Sequence, residues 1–169
     1  MFRTTQDTQI SFGDRMLTAN PQMQKAINGS RAKLVGDIVY PNVDEQKFSV
    51  LFSDVFSRPN ISISRYYCAL VLKRMYRLPD EVFLELLRCG AVNFQYALHT
   101  TSEEKQPLSE SSLRRFRRKI EEYKKETGRD LVKEEFERIS KMMAVDMGLL
   151  GKDPSEGEDE EKPILVRMD

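Results

Sequence analysis

The sequence predicts an all-α fold: a helical bundle with a helix-turn-helix-like core, an acidic linker after it and a single C-terminal strand. Three observations predict this. Apolar residues recur at three- and four-residue spacing through successive stretches between Asn42 and Met147. Those stretches open on Ser, Asn, Asp or Pro and close on Gly, the residues that cap and stop helices. Ile164–Met168 has good strand character, and no other segment offers it a well-formed sheet.

Residues 1–41 read as a polar arm. Asn20-Pro21 can start a short helix reaching Ile27, because Asn caps well and Pro is tolerated in a first turn. Leu34–Tyr40 reads as extended, although Gly36 and Asp37 weaken it as a strand. The helical domain is expected from Asn42 to residue 150. Asn42 and Glu45 have capping-box spacing ahead of Phe48, Leu51, Phe52, Val55 and Phe56, and Arg58-Pro59-Asn60 ends that run. Ser62 or Ser64 caps the next helix, with Ile63, Tyr67, Leu70, Val71 and Leu78 on one face. Pro79-Asp80 opens a third helix carrying Val82, Phe83, Leu86 and Leu87, stopped by Gly90. A short helix over Val92–Leu98 precedes a polar loop from His99 to Pro107.

Ser109–Thr127 is the strongest amphipathic segment, with Leu113, Phe116, Ile120 and Tyr123 within about 80° of arc. Ser109 or Ser111 caps it and Gly128 follows its end. A last helix, from about Asp130 to Met147, carries Val132, Phe136, Ile139, Met143 and Met147 as one stripe. Residues 151–163 are an acidic linker, and 164–169 hold the orphan strand.

Charge is unevenly spread. Lys+Arg and Asp+Glu both number 27, yet residues 58–119 hold 12 basic against 6 acidic side chains. Residues 153–161 add six acids and no base. A basic middle and an acidic tail suit a polyanion-binding part joined to a linker. The basic cluster is Arg114, Arg115, Arg117, Arg118 and Lys119, on the Leu113 helix. With the apolar face inward, Arg114, Arg118 and Lys125 project together, Arg115 points outward, and Arg117 and Lys124 flank the apolar edge. Guanidinium groups in such a row match phosphates and guanine edges of double-stranded DNA. The preceding helices could complete a helix-turn-helix, with this one as recognition helix. A solvated face balanced by Glu121, Glu122 and Glu126 fits the spacing equally well.

Other chemistry finds little support. One histidine, His99, argues against a His-rich metal site, and Cys68 and Cys89, without CxxC spacing, read as buried reduced thiols. Asp80/Glu81 and Glu134/Glu135 read as first-turn residues favoured by the helix dipole. Met142, Met143 and Met147 read as core. No Gly-rich phosphate loop or Ser/His/Asp arrangement stands out. No apolar run is long enough for a membrane span and the N-terminus lacks signal-peptide layout, so a cytoplasmic protein without membrane or small-molecule partners is expected.

Four strings carry a resemblance: Ser11–Met16 (SFGDRM), Arg31–Asn42 (RAKLVGDIVYPN), Phe94–Thr101 (FQYALHTT) and Gln106–Arg118 (QPLSESSLRRFRR). Together they resemble the N-terminal domain of InsH-like bacterial insertion-sequence transposases, from about residue 9 to the end. The last string is the most specific, with its Ser-Leu ahead of an arginine-flanked Phe-Arg. Leu78-Pro79-Asp80 departs from the family's usual Leu-Ser-Asp, which is an alternative helix start. The resemblance implies a domain that recognises terminal inverted repeats, followed by a ribonuclease-H-like domain with three carboxylates and two divalent metal ions, Mg2+ in the intact enzyme. It implies that Asp169 corresponds to the first of those carboxylates and Ile164–Met168 to the first strand of that domain. Two-metal chemistry needs several converging carboxylates, so neither cofactor nor catalysis is expected of these residues alone. The expected function is DNA binding in transposition. The alternatives are an interaction module, which forms a homodimer or docks on full-length transposase to regulate it, and an inactive remnant of a decayed element.

Overall fold

The computed structural model describes residues 20–52, 61–100 and 107–148. It is all-α, with no strand among those residues. The helices are α1 (Pro21–Asn28), a bent second helix α2 over residues 32–42, a 3-10 segment (Glu45–Leu51), α3 (Ile63–Tyr76), α4 (Asp80–Arg88), α5 (Val92–Ala97), α6 (Glu110–Thr127) and α7 (Leu131–Asp146). The linker 151–163, the strand 164–169 with Asp169, the Ser11–Met16 string and the Val55–Asn60 stretch lie outside the described residues.

Caps set most boundaries. Asn20, Ser62, Ser109 and Asp130 each accept from a backbone N–H in the first turn of the helix that follows, at 2.9–3.2 Å. Gly90 and Gly128, at φ +84° and +75°, follow the ends of α4 and α6, where a side chain would strain the backbone. Helix α3 is the central element. Its consecutive Tyr66, Tyr67, Cys68 and Ala69 are all buried, so it is covered on every side. Phe48 from the 3-10 segment, Phe83 from α4, Leu113 from α6 and Leu131 from α7 complete one core with it. Burial pushes the Cys68 thiol well above its ordinary range.

Several expectations are corrected by the structure. First, residues 32–42 are helical, where the sequence suggested an extended Leu34–Tyr40 in an arm. Ala32, Val35 and Val39 belong to the same core as α3, so the packing continues across residue 42. The reason lies in a π-bulge completed by distant partners. Val35–Val39 forms a π-bulge, in which the Tyr40 N–H reaches the Val35 carbonyl. In that register the Gly36 carbonyl would face the nitrogen of Pro41, which carries no hydrogen. His99 supplies the missing partner, with Nε2 2.9 Å from that oxygen, and its ring stacks on Tyr40 at 3.8 Å. Gly36 suits this close approach, since a Cβ there would lie 3.0 Å from the Tyr96 carbonyl and 3.1 Å from Ala97 Cα, tighter than ordinary contact.

Second, the Asn42 capping box does not form. Asp44 caps the 3-10 segment instead, and Asn42 donates to the Ile38 carbonyl at 2.8 Å. Glu45 is buried and accepts from the backbone N–H and hydroxyl of Ser64, at 3.1 and 2.8 Å. It satisfies a donor at the N-terminus of α3 from outside the helix. Third, α7 is rotated from the predicted stripe. Leu131, Glu135 and Ile139 face the core, whereas Phe136 and Met147 are 57% and 69% exposed. Cys89 is exposed as well, because it caps the end of α4 beyond Leu87, the helix's last buried residue.

Glu135, which the sequence reads as a first-turn residue favoured by the helix dipole, is a fully buried charge. Its carboxylate accepts from Arg138 Nε (3.1 Å) and Nη2 (2.6 Å) and from the Asp44 N–H (2.8 Å), with Lys47 3.6 Å away. Burial pushes its pKa up. The hydrogen bonds from Arg138 and the Asp44 N–H, with the positive charges of Arg138 and Lys47, outweigh burial and hold it below the usual carboxylate value. The pair docks α7 onto the 3-10 segment.

Candidate nucleic-acid interface

Helix α6 is built to hold its polar face rigidly outward. Ser109 caps it, and Leu113, Phe116 and Ile120 are buried along its inner side. Phe116 stacks on Tyr66 of α3 at 5.0 Å and lies 6.2 Å from Phe48. Arg65 of α3 secures the approach to the helix. Its guanidinium donates to the carbonyls of Leu98 (3.2 Å), His99 (3.1 Å) and Pro107 (3.3 Å), tying together both ends of the stretch 101–106. Leu108, just before the cap, is buried.

The structure separates the sequence-predicted basic residues into two groups. Arg117 and Lys119 hold α6 to the bundle. Arg117 pairs with Asp80 at the start of α4, and the other Asp80 oxygen takes Lys73 of α3. Burial, and then the charge of Arg117, lower the Lys73 ammonium from its usual pKa. Lys119 Nζ donates to the Leu51 carbonyl at 3.0 Å and sits 4.3 Å over the Phe52 ring. Burial, with Arg115 nearby, lowers its pKa. Asp80 therefore does more than complement a dipole: it joins three helices.

The second group faces solvent. The side chains of Arg114 and Arg118 are 71% and 68% exposed, paired with Glu110 and Glu122 one turn away on the same helix. Arg115 and Lys125 are exposed as well. Exposed same-helix pairs contribute little to stability, so these guanidinium groups can exchange a carboxylate for another anion at small cost. Farther along, Lys124 pairs with Asp130 at 2.8 Å, which locks the turn into α7.

The connection from α5 to α6 runs over residues 98–109, longer than the three- or four-residue turn of a helix-turn-helix. The tight turn lies one step earlier, at Cys89-Gly90-Ala91 between α4 and α5. Among the described residues no three His, Cys, Asp or Glu side chains group as a metal site. No described helix is long and apolar enough to cross a membrane.

Sequence reasoning missed Glu135, Arg65 and Asp80 as the residues that fix the helices in place. For Glu135 a signal existed: Leu131, Glu135 and Ile139 repeat every four residues, which puts the carboxylate on the buried face. No protein-family model matches the chain, and no curated protein or solved structure matches it either.

Proposed function

We propose that this protein binds double-stranded DNA through the outer face of α6, with Arg114, Arg115 and Arg118 contacting the phosphate backbone and Lys125 extending the contact. The observation that carries the reading is the exposed row of guanidinium groups on a helix whose opposite face is anchored by Leu113, Phe116 and Ile120. Guanidinium groups on a fixed helix keep their spacing, and less side-chain freedom is lost on contact with a regular phosphate array. Arg117 and Lys119 act differently in this reading, as supports that hold α6 at its angle. The resemblance to transposase N-terminal domains supplies the target class, the terminal inverted repeats of an insertion sequence. The role asks for binding alone.

Fluorescence anisotropy with a labelled duplex tests the proposal. Combined Arg114→Glu and Arg118→Glu substitution is expected to weaken binding by about 10–100-fold. Circular dichroism should show an unchanged fold, since both side chains are largely exposed. Equal affinity in the variant and the parent would remove the assignment.

A further inference from the structure

The C-terminal turn of α3 gathers arginines that the bundle does not use. Arg74 and Arg77 lie three residues apart on it, and Arg31, just before α2, reaches the same place. The Arg31 guanidinium sits 5.4 Å over the ring of Tyr76, the residue next to Arg77. That ring is fixed in turn, because its hydroxyl accepts from the Ala32 N–H at 3.2 Å and bonds the Ser30 hydroxyl at 3.0 Å. All three arginines are exposed, and no acid among the described residues pairs with them. Asp80, the nearest carboxylate in sequence, is taken by Lys73 and Arg117, while Glu81 and Glu85 stay exposed and unpaired on α4. Arg77 also holds a costly conformation. It ends α3 at φ +54°, where the Leu78 N–H meets the Lys73 carbonyl at 2.9 Å. Glycine suits such a left-handed position, as at Gly90 and Gly128 after α4 and α6. A basic side chain complements the negative end of a helix, but Lys73 and Arg74 already do so. A strained arginine without a partner in the fold points to a partner outside it.

We propose that Arg31, Arg74 and Arg77 form a second phosphate-binding patch, which holds the backbone of the same duplex beside α6; this rests on α6 as the first contact. Asp80 supplies the continuity. By binding Lys73 and Arg117 with its two oxygens, it draws the end of α3 towards the middle of α6. The positive surface is then continuous from Arg114 and Arg118, past Arg117, to Arg74 and Arg77. A duplex gripped by one helix alone can swivel about that contact. Phosphate contacts from a second element fix register and orientation without reading sequence. These guanidinium groups also give up no internal ion pair on binding, unlike Arg114 and Arg118, which must leave Glu110 and Glu122. A nucleic-acid backbone is the class that fits, since its charges are regularly spaced and guanidinium matches phosphate in shape as well as charge.

Arg74→Gln/Arg77→Gly in the full chain tests this by anisotropy with the labelled duplex. Losing two contacts should weaken binding about tenfold in about 0.1 M salt and shrink the salt slope by about 1.8. Arg74→Lys/Arg77→Lys keeps both charges and should keep the slope. Arg77→Gly alone should melt no lower than the parent, because glycine relieves the left-handed backbone. The Arg114→Glu/Arg118→Glu chain separates the two sites. A parent that ignores the duplex removes α6 and this patch together. Parent-like affinity and slope in Arg74→Gln/Arg77→Gly, with Arg114→Glu/Arg118→Glu weakened, overturn the patch alone. An equal loss in the lysine chain also overturns it, as does a lowered melting temperature for Arg77→Gly, which would make Arg77 a support of the fold.

Discussion

Phe116→Ala is expected to lower stability by about 3–5 kcal/mol, the range for emptying a buried aromatic site. Phe116 is 2% exposed, and its ring meets Tyr66 of α3 and Phe48 of the 3-10 segment, so one side chain joins three elements. A cavity at this junction cannot close by moving a single neighbour, because α6 is held on either side by Arg117–Asp80 and by Lys119 on the Leu51 carbonyl. Against a typical stability of roughly 5–15 kcal/mol, the loss is a large fraction. Urea unfolding should show the midpoint falling sharply. Phe116→Leu should recover much of the loss, whereas equal stability of parent and Phe116→Ala would show that α6 is not anchored there.

The second large effect belongs to Glu135. Glu135→Ala removes the acceptor for the Asp44 N–H and for Arg138, and it leaves Lys47 with Glu134 alone, at 3.6 Å. Arg138 is 42% exposed and can be rehydrated, so the expected cost is about 2–4 kcal/mol, not more. The pH dependence follows from the lowered native pKa. The unfolded chain takes up the proton first as pH falls, near the ordinary value of about 4.3. Glu135's contribution is thus complete above that pH and is lost as pH falls through its lower folded value. Asp130 and Glu134 are also held low, by Lys124 and Arg129 respectively, and add slopes of the same sign. Glu135→Gln should flatten only its own share of the acid limb, measured by unfolding between pH 5 and 2. An acid limb with the parent's slope would contradict the buried ion pair.

These two residues also show how much was legible beforehand. Helix α6 could be read almost to the residue, because a cap, an apolar arc and a stopping glycine all agree over 109–128. Ser62, Pro79 and Gly90 were equally readable, since each acts on its nearest turn. The region before residue 43 was misread because its structure depends on distant partners. Gly36, Asp37 and Pro41 weaken any helix locally. They are accommodated by a π-bulge whose free carbonyl is satisfied by His99, 63 positions later. The strings Arg31–Asn42 and Phe94–Thr101, separate in sequence, are in fact one contact unit: Gly36 packs on Tyr96 and Ala97, and Asp37 accepts from the Tyr96 hydroxyl.

The basic cluster is legible as a cluster, and its division into supports and solvent-facing groups is not. Spacing places Arg114, Arg117, Arg118 and Lys119 on a helix, but only tertiary packing brings Asp80 to Arg117 and the Leu51 carbonyl to Lys119. The stripe of α7 was similarly visible while its facing was not. Glu135 takes the buried position through its polar partners and turns Phe136 outward.

The salt dependence of duplex binding addresses the central claim, that α6 presents a row of guanidinium groups to phosphate. With about four phosphates neutralised by Arg114, Arg115, Arg118 and Lys125, α6 should contribute a slope of about −3.6 to the fall of log affinity against log salt. In the Arg114→Glu/Arg118→Glu variant that share should shrink in magnitude to about −1.8 or less. A parent chain that shows no binding in dilute buffer, or a slope identical in both proteins, would contradict the account.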